Sequence, residues 1–247
     1  MLSLMVVPNY MPEEFGAWYM LNTWLQGQSG LPINLVMPES FAAVAQHQQT
    51  KPSAMVYVNP FAAKTYVRQQ GYLPLVRPNT TDEIVLICRA DSEINRVEDL
   101  KEAFTLAVSA NEDANYVALR LLEPAGVDEA NIKLVQQDNY LAVALAVVRG
   151  IADIGVVSAR VAAHFSSITL SRLKIILHSR INEIHHVWLY QPQWQEEADK
   201  LRPLLVNLNK HPKGLALLSS LGIPEGFSML QEEDLEFMID VVDTLRK

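Results

Sequence analysis

The side chains in this sequence with chemistry to offer sit in short polar strings: Asn9-Tyr10, Glu39-Ser40, Asn59-Pro60-Phe61, Ser109-Ala110-Asn111, Asp138-Asn139-Tyr140 and Ser158-Ala159-Arg160. Together they offer amides, hydroxyls, carboxylates, aromatic rings and one guanidinium. That mixture suits recognition of a small polar molecule better than bond breaking. Arg160 is the best partner for an anion, with a solvated surface arginine as the plain alternative. Reactive constellations are missing from the sequence: it carries no Gly-x-Ser-x-Gly, no Walker string and no dinucleotide-binding glycine fingerprint. Cys88 lies in an extended apolar run and reads as a core residue rather than a nucleophile. His178, His185 and His186 suggest a metal at first sight. Adjacent residues on a strand point to opposite faces, however, so His185 and His186 read as ordinary histidines. Trp18 and Tyr57 read as core residues rather than ligand platforms. No metal and no cofactor are expected.

Each of these strings follows a short apolar run and opens a longer run with helical spacing. Strands are expected at Leu2–Val7, Ile33–Met37, Ala54–Val58 and Leu73–Val76, then at Glu83–Arg89, Phe104–Val108, Ile132–Val135, Ile154–Val157 and Leu173–His178. Pro12, Glu13 and Glu14 suit the first turn of a helix, as does Pro60 after the capping side chain of Asn59. His186–Tyr190 is a further extended run, followed by a helical tail at about Gln193–Leu208, Gly214–Leu221 and Gln231–Leu245. Asn79-Thr80-Thr81 matches a glycosylation sequon but reads as a turn.

Strands alternating with helices predict an α/β fold with mixed, mostly parallel sheets. The helical tail lacks strands of its own and returns to the first lobe in the most economical arrangement. Lobe one is then about 1–82 plus 184–247, and lobe two, inserted in it, 83–183. Two crossings near 80–90 and 178–188 form a hinge, with a ligand cleft where the lobes face each other. In open α/β sheets ligands bind beyond the carboxyl ends of the strands, and the polar strings above occupy those loops. Helix capping is the bland role for Asn59, Asp138 and Ser158, and it is compatible with ligand contact.

The sequence has 20 lysines and arginines against 28 aspartates and glutamates, a net charge of −8, and no basic run. Nucleic acid is therefore not an expected partner. The single cysteine excludes an internal disulfide and any multi-cysteine metal site. No apolar stretch reaches the roughly 18 residues needed to span a bilayer. Met1–Val7 is too short for a signal peptide and reads as a strand. The sequence leaves two locations open: the periplasm, with the leader absent from this sequence, or the cytoplasm.

The run Asp138-Asn139-Tyr140-Leu141-Ala142-Val143-Ala144-Leu145-Ala146-Val147-Val148-Arg149-Gly150-Ile151-Ala152-Asp153-Ile154-Gly155 carries a polar pair, an alanine-rich helix and Gly-x-x-Asp-x-Gly. With Asp99-Leu100-Lys101, Gly214-Leu215-Ala216-Leu217-Leu218, Gly222-Ile223 and Gly226-Phe227, it resembles the phosphate/phosphite/phosphonate-type (PhnD-like) solute-binding proteins of ABC transporters. The resemblance covers nearly the whole chain in its order of elements. It implies the type 2 periplasmic-binding fold with two lobes and two hinge crossings. It also implies a receptor that binds a small polar solute, acts as a monomer, meets ABC permease subunits and is not an enzyme. A ligand-sensing domain with the same fold is the alternative, and an enzyme on this scaffold a third, weaker one. The bottom-up reading of the motif stands beside this: Gly150 ends a helix in a left-handed conformation, and Gly155 admits a close neighbour. Asp153 is open to two readings, a turn residue or, by resemblance, a cleft residue facing a cationic or hydroxyl-bearing part of the ligand.

With the strand-end rule, the resemblance gives a cleft lined by Tyr10, Ser40, Asn59, Phe61, Ser109, Asn111, Asn139 and Asp153, with Arg160 as the anion partner. Two departures from the family pattern bear on the ligand. The Ser/Thr cluster expected at the first helix of lobe two is Ser109-Ala110-Asn111-Glu112-Asp113 here, and the family's histidine is replaced by Asn139. Ser109 to Glu112 also has the spacing of a capping box. Glu112, Asp113, Asp138 and Asp153 disfavour a dianion. A ligand with a cationic or neutral polar part is therefore expected in preference to inorganic phosphate.

Overall fold

The computed structural model describes residues 1–8, 14–100, 103–109, 112–123, 126–127 and 129–245, apart from the side chains of Phe41, Glu112, Asp113 and Glu129. In chain order the elements begin with β1 (Leu2–Val6), α1 (Phe15–Ser29), β2 (Ile33–Val36), α2 (Phe41–Thr50), β3 (Met55–Val58) and α3 (Pro60–Lys64). A single π turn, Thr65–Gln69, extends α3, and β4 (Leu73–Pro78) follows. Next come β5 (Ile84–Arg89), β6 (Phe104–Ser109), α4 (Glu112–Leu122), β7 (Ile132–Gln137), α5 (Tyr140–Val148), β8 (Ile154–Ser158), α6 (Ala159–Ala162), α7 (Ser167–Leu170) and β9 (Leu173–His178). The chain closes with β10 (Val187–Tyr190), α8 (Gln195–Val206), α9 (Pro212–Ser220), β11 (Phe227–Met229) and α10 (Glu232–Leu245). The expected first-turn residues Pro12 and Glu13 lie outside the described residues.

These elements divide into two compact units. One comprises Met1–Thr81 and Glu183–Asp243; the other is Asp82–Asn182, joined by the end of α10 at Thr244 and Leu245.

The first unit holds a sheet in the order β11-β4-β10-β3-β1-β2. Side chains alternate across it, as strand geometry requires. Leu2, Leu4 and Val6 of β1 join the core formed with α1, α8 and α9, through Leu21, Leu25, Leu201, Leu205 and Leu218. Met5 and Val7 join the opposite core with Val44, Ala63, Leu235, Met238 and Ile239 from α2, α3 and α10. All five residues of β1 are consequently buried. A strand covered on both faces reads as a continuous apolar run, as Leu2–Val6 does. Trp18 and Tyr57 belong to the first of these cores, their rings 4.8 Å apart, with Trp188 beside both.

The second unit holds the order β7-β6-β8-β5-β9. Val143, Ala144, Ala146 and Val147 of α5 pack on one face against Val85, Ile87, Ala107 and Val157. Ala114, Val117, Ala118 and Leu122 of α4 are buried at helical spacing.

Both sheets are mixed. Strands joined by βα units pair in parallel: β1 with β2 and β3, and β6 with β7 and β8. The strands next to the crossings run the other way: β5 is antiparallel to β8 and β9, and β10 to β3 and β4. The parallel share is therefore smaller than strand–helix alternation implies, because a strand arriving from the other unit is not the product of a βα crossover. A second difference lies in the tail, which is not wholly helical. Phe227–Met229 pairs with Val76–Pro78 as an edge strand. Three residues are too few to show an alternating pattern.

Gly150 ends the α5 turn at φ +70°, the left-handed conformation that the motif reading requires. A Cβ on Gly155 would stand 2.8 Å from Val143 Cγ1 and 2.9 Å from Val147 Cγ2, so the close neighbour is the α5 helix. Gly155→Ala should cost about 1–3 kcal/mol in denaturant unfolding, because it overpacks a finished interface. Gly16→Ala is the control. Its Cβ meets nothing within 4 Å, and alanine in a helix should be neutral or stabilising by about 0.5–1 kcal/mol.

Candidate functional site

Parallel neighbours end on the same edge of a sheet. β3, β1 and β2 are consecutive in the first unit and β7, β6 and β8 in the second, so each unit collects three strand-to-helix turns along one edge. A helix start also carries backbone N–H groups with no partner inside the helix. The side chains at these turns first have to answer those donors.

In the first unit, Ser40 caps α2, its Oγ accepting from Ala43 N at 3.2 Å. Asn59 caps α3, its Oδ1 accepting from Ala62 N at 2.7 Å, and it is only 5% exposed. Phe61, in the first turn of that helix, is buried. Tyr10 lies outside the described residues. In the second unit, Ser109 ends β6 and is buried, and its carbonyl accepts from Asn115 Nδ2 at 3.1 Å. Asn139 caps α5, with Oδ1 accepting from Ala142 N at 2.9 Å. Asn111 lies outside the described residues, so the proposed Ser109–Glu112 capping box is not described either. Arg160 is half-buried in α6, and its carbonyl accepts from His164 Nδ1 at 2.8 Å.

Capping thus falls on somewhat different residues than the sequence indicates. Asn59 does cap. Asn139 caps in place of Asp138, one residue earlier, and Ser158 makes no side-chain cap. Capping by an asparagine uses its acceptor oxygen alone. The Nδ2 groups of Asn59 and Asn139 are donors outside that bond. Ser40, Asn59 and Phe61 therefore share one edge of the first sheet, and Ser109, Asn139 and Arg160 one edge of the second.

Asp153 does not belong to this set. It precedes β8 and pairs with Thr105 near the start of β6, at the amino ends of those parallel strands. Its Oδ2 accepts from Thr105 N at 2.7 Å and from Thr105 Oγ1 at 2.6 Å, and its own N–H donates to Thr105 O at 3.0 Å. The carboxylate sits at the opposite edge of the sheet from Ser109 and Asn139 and is bonded to Thr105, as a turn residue would be.

The histidines have separate engagements. His178 Nδ1 meets Ser179 O at 2.6 Å, and His186 stacks on Tyr57 with ring centroids 5.2 Å apart. His185 is 7% exposed. It contacts Arg77 Nη1 through Nε2 at 2.8 Å and Thr80 O through Nδ1 at 3.1 Å. A guanidinium only donates, so Nε2 accepts and Nδ1 carries the proton. Among the described residues no cluster of three His, Cys, Asp or Glu is placed to hold a metal. Cys88 is fully buried, and burial pushes its thiol pKa up despite the opposing charge of Lys174. That disfavours a thiolate nucleophile.

Two features near the chain crossings escaped the sequence reading: the Arg77–His185 pair and Glu83, whose carboxylate accepts from Asn182 N at 2.8 Å. Their partners are about a hundred residues away in sequence, so local spacing carries no signal of them. For Asp153, Asp153→Ala should lower Tm by a few degrees, through the lost Thr105 hydrogen bonds. It should leave the dissociation constant of a bound solute unchanged in calorimetry; a loss of binding at unchanged Tm would return Asp153 to the ligand set.

Comparison with known proteins now adds to the geometry. The family model described as "ABC transporter, phosphonate, periplasmic substrate-binding protein" matches residues 4–235. No curated protein matches the chain in sequence. The fold is similar to that of PhnD1 from Prochlorococcus marinus in complex with methylphosphonate, with TM-score 0.83, 14% identity and coverage of 100% of this chain and 98% of that one. It is also similar to PA3383 from Pseudomonas aeruginosa, a binding protein component of an ABC phosphonate transporter, with TM-score 0.75, 14% identity and coverage of 100% and 88%. A third is the periplasmic aliphatic sulphonate binding protein SsuA from Escherichia coli, with TM-score 0.71, 12% identity and coverage of 99% and 91%. These likenesses establish the type 2 periplasmic-binding fold. Members of the matched family are transport proteins that bind small solutes and work with permease components. The family match spans nearly the whole chain, and the protein therefore belongs to the phosphonate family of periplasmic substrate-binding proteins, the solute-binding components of ABC transporters.

Proposed function

We propose that the two units act as the lobes of a solute receptor and that each contributes its strand-end groups to one small polar molecule. The solute carries an oxygen-rich anionic group together with a cationic or neutral polar part. It is bound by a single chain in the periplasm, undergoes no chemistry, and passes to the permease. No helix among the described residues is long and apolar enough to cross a membrane.

The observation that carries this reading is the pair of strand-end edges. Each holds an asparagine whose oxygen is committed to a helix start, at Asn59 and at Asn139. The Nδ2 groups and the remaining first-turn amides are donors, and donors at a helix N-terminus suit the oxygens of an anion. Each helix end adds about 0.3–1 kcal/mol in favour of negative charge. The restraint on charge comes from composition. The string 109–113 holds one serine and two carboxylates, and Asp138 is exposed beside Asn139.

Thermal-shift and calorimetric titration of a panel tests the reading. The panel contains inorganic phosphate, methylphosphonate, an aminoalkylphosphonate, amino acids and simple amines. Phosphate should bind weakly or not at all. An amine-bearing phosphonate, or another zwitterion, should raise Tm; at a hundred times its Kd the gain is about 2.7 kcal/mol, or roughly 5–10 °C for a chain of this size. Sub-micromolar binding of phosphate at pH 7 would overturn the charge argument. No response from any member would overturn the receptor reading. Asn139→Ala should weaken the best ligand and also lower stability by about 1 kcal/mol through the lost cap.

A further inference from the structure

The second unit carries its charge unevenly. Residues 154–182 hold Arg160, Arg172, Lys174 and Arg180 and no aspartate or glutamate, in a chain of net charge −8. The cations stand too far apart in sequence to read as a basic run, but the fold gathers this stretch on one side of the unit. α6 and the turn after it pack through Ala159, Val161 and Phe165 on the core beneath α5. α7 lies against β9, the edge strand of the sheet. Leu173 of β9 enters the same core, and Ile175, two residues on and paired with Ile87 of that core, points the same way.

Apolar side chains stand out in water on this side. Ile168 is 70% exposed and Ile175 54%, and Ile151 and Leu170 are exposed as well. Among them lie the exposed Arg149, at the end of α5, and Arg172. Backbone bonds seat Arg172 between α7 and the end of β5: its N–H donates to Thr169 O at 3.1 Å, and its carbonyl accepts from Ala90 N at 2.9 Å. Neither arginine forms a salt bridge among the described residues. Lys174 is tied to Ser92 O and Asn95 Oδ1, and Arg160 belongs to the solute edge, so neither is counted here. The carboxylates at the margin have engagements of their own: Asp91 with Arg89, Asp153 with Thr105, and Glu83 with the amides of Ile181 and Asn182. Asp138, at the start of α5, is exposed.

We infer that this side of the second unit docks on an anionic phospholipid surface, with the aliphatic tips among the headgroups and Arg149 and Arg172 on the phosphates. Aliphatic side chains interleaved with arginines form the composition of surfaces that lie in a bilayer interface. The charge fits as well. A strongly acidic chain is repelled by an anionic leaflet everywhere except at a face where its cations are collected. A component of an ABC transporter also works beside a membrane. An acidic protein would answer the charge equally, but such interfaces lean on aromatic anchors. The exposed large apolar residues between 141 and 182 are all leucine or isoleucine.

Cosedimentation of the solute-free protein with lipid vesicles tests this, so the outcome does not depend on which solute is bound. Vesicles of phosphatidylcholine alone are compared with vesicles containing about one-third phosphatidylglycerol, at low salt. The protein should sediment with the second and not with the first, and raising the salt to about 0.5 M should release it. Arg172→Gln should weaken vesicle binding about fivefold, and Arg149→Gln, at another point of the same face, by a similar factor. Ile168→Ser combined with Leu170→Ser should also weaken it, at an unchanged thermal melt. Lys213→Gln, which removes an exposed lysine of the first unit, is the control and should have no effect. Absence of binding to the anionic vesicles would overturn the inference, as would equal binding to phosphatidylcholine. A loss with Lys213→Gln as large as with Arg172→Gln would also overturn it, since net charge alone would then account for binding. Retention on immobilised polyglutamate without vesicle binding would give the face to an acidic protein instead and overturn the lipid reading.

Discussion

The first N–H groups of a helix have no partner within it, and much of this molecule is arranged around that deficit. Parallel βα units bring several helix starts to one edge of a sheet. In this chain three neighbouring strands do so in each unit. Ser40, Asn59 and Asn139 each give an oxygen to one of those amides. Each cap takes a lone pair of that oxygen, and the Nδ2 groups of Asn59 and Asn139 are donors outside the cap bonds. The fold thus biases the edge toward ligands rich in acceptors before any specific side chain is considered. Helix capping does not by itself exclude ligand contact, because it leaves the amide nitrogen of each asparagine outside the cap bond.

The string Gly150–Gly155 shows how closely packing and site motifs can be interleaved. Its two glycines end α5 and admit that helix against β8, while Asp153 ties β8 to the amino-terminal end of β6. Each of these acts on the scaffold. Their joint effect is to set the position of β8 relative to β6. A change in this string would reach the solute only through strand register, since none of its described contacts lies at the carboxyl edge.

The alternation of apolar runs and helices was legible because burial on both faces makes a strand continuous in hydrophobicity, as in Leu2–Val6 and Ile84–Cys88. The direction of the strands at the crossings was less so: β5 and β10 look like any other apolar run, and nothing local says that they pair antiparallel. β11 was hidden by its length. A polar residue following a strand was informative about position: Ser40, Asn59, Ser109 and Asn139 lie at strand ends or at the helix starts that follow them. A polar residue preceding a strand was ambiguous, and Asp153, named by the family likeness, lies at the edge opposite Ser109 and Asn139. Glu83, Arg77 and His185 could not be read at all, because their partners are set by the return of the chain. Tyr10 and Asn111 fall outside the described residues.

Recognition of a solute's net charge follows from a balance that the fold alone leaves open. Helix starts supply a modest, fixed attraction for negative charge, and they do so whatever side chains surround them. Carboxylates near the same edge act in the opposite sense, with a strength that depends on burial: weak where water screens them, several times larger where it is excluded. Asp138 is exposed, so in the free protein its repulsion is screened. If the lobes close on a solute and expel water, the same carboxylate becomes a stronger opponent of a second negative charge and a stronger partner for a cation. Discrimination against a dianion would then develop on closure rather than on first contact.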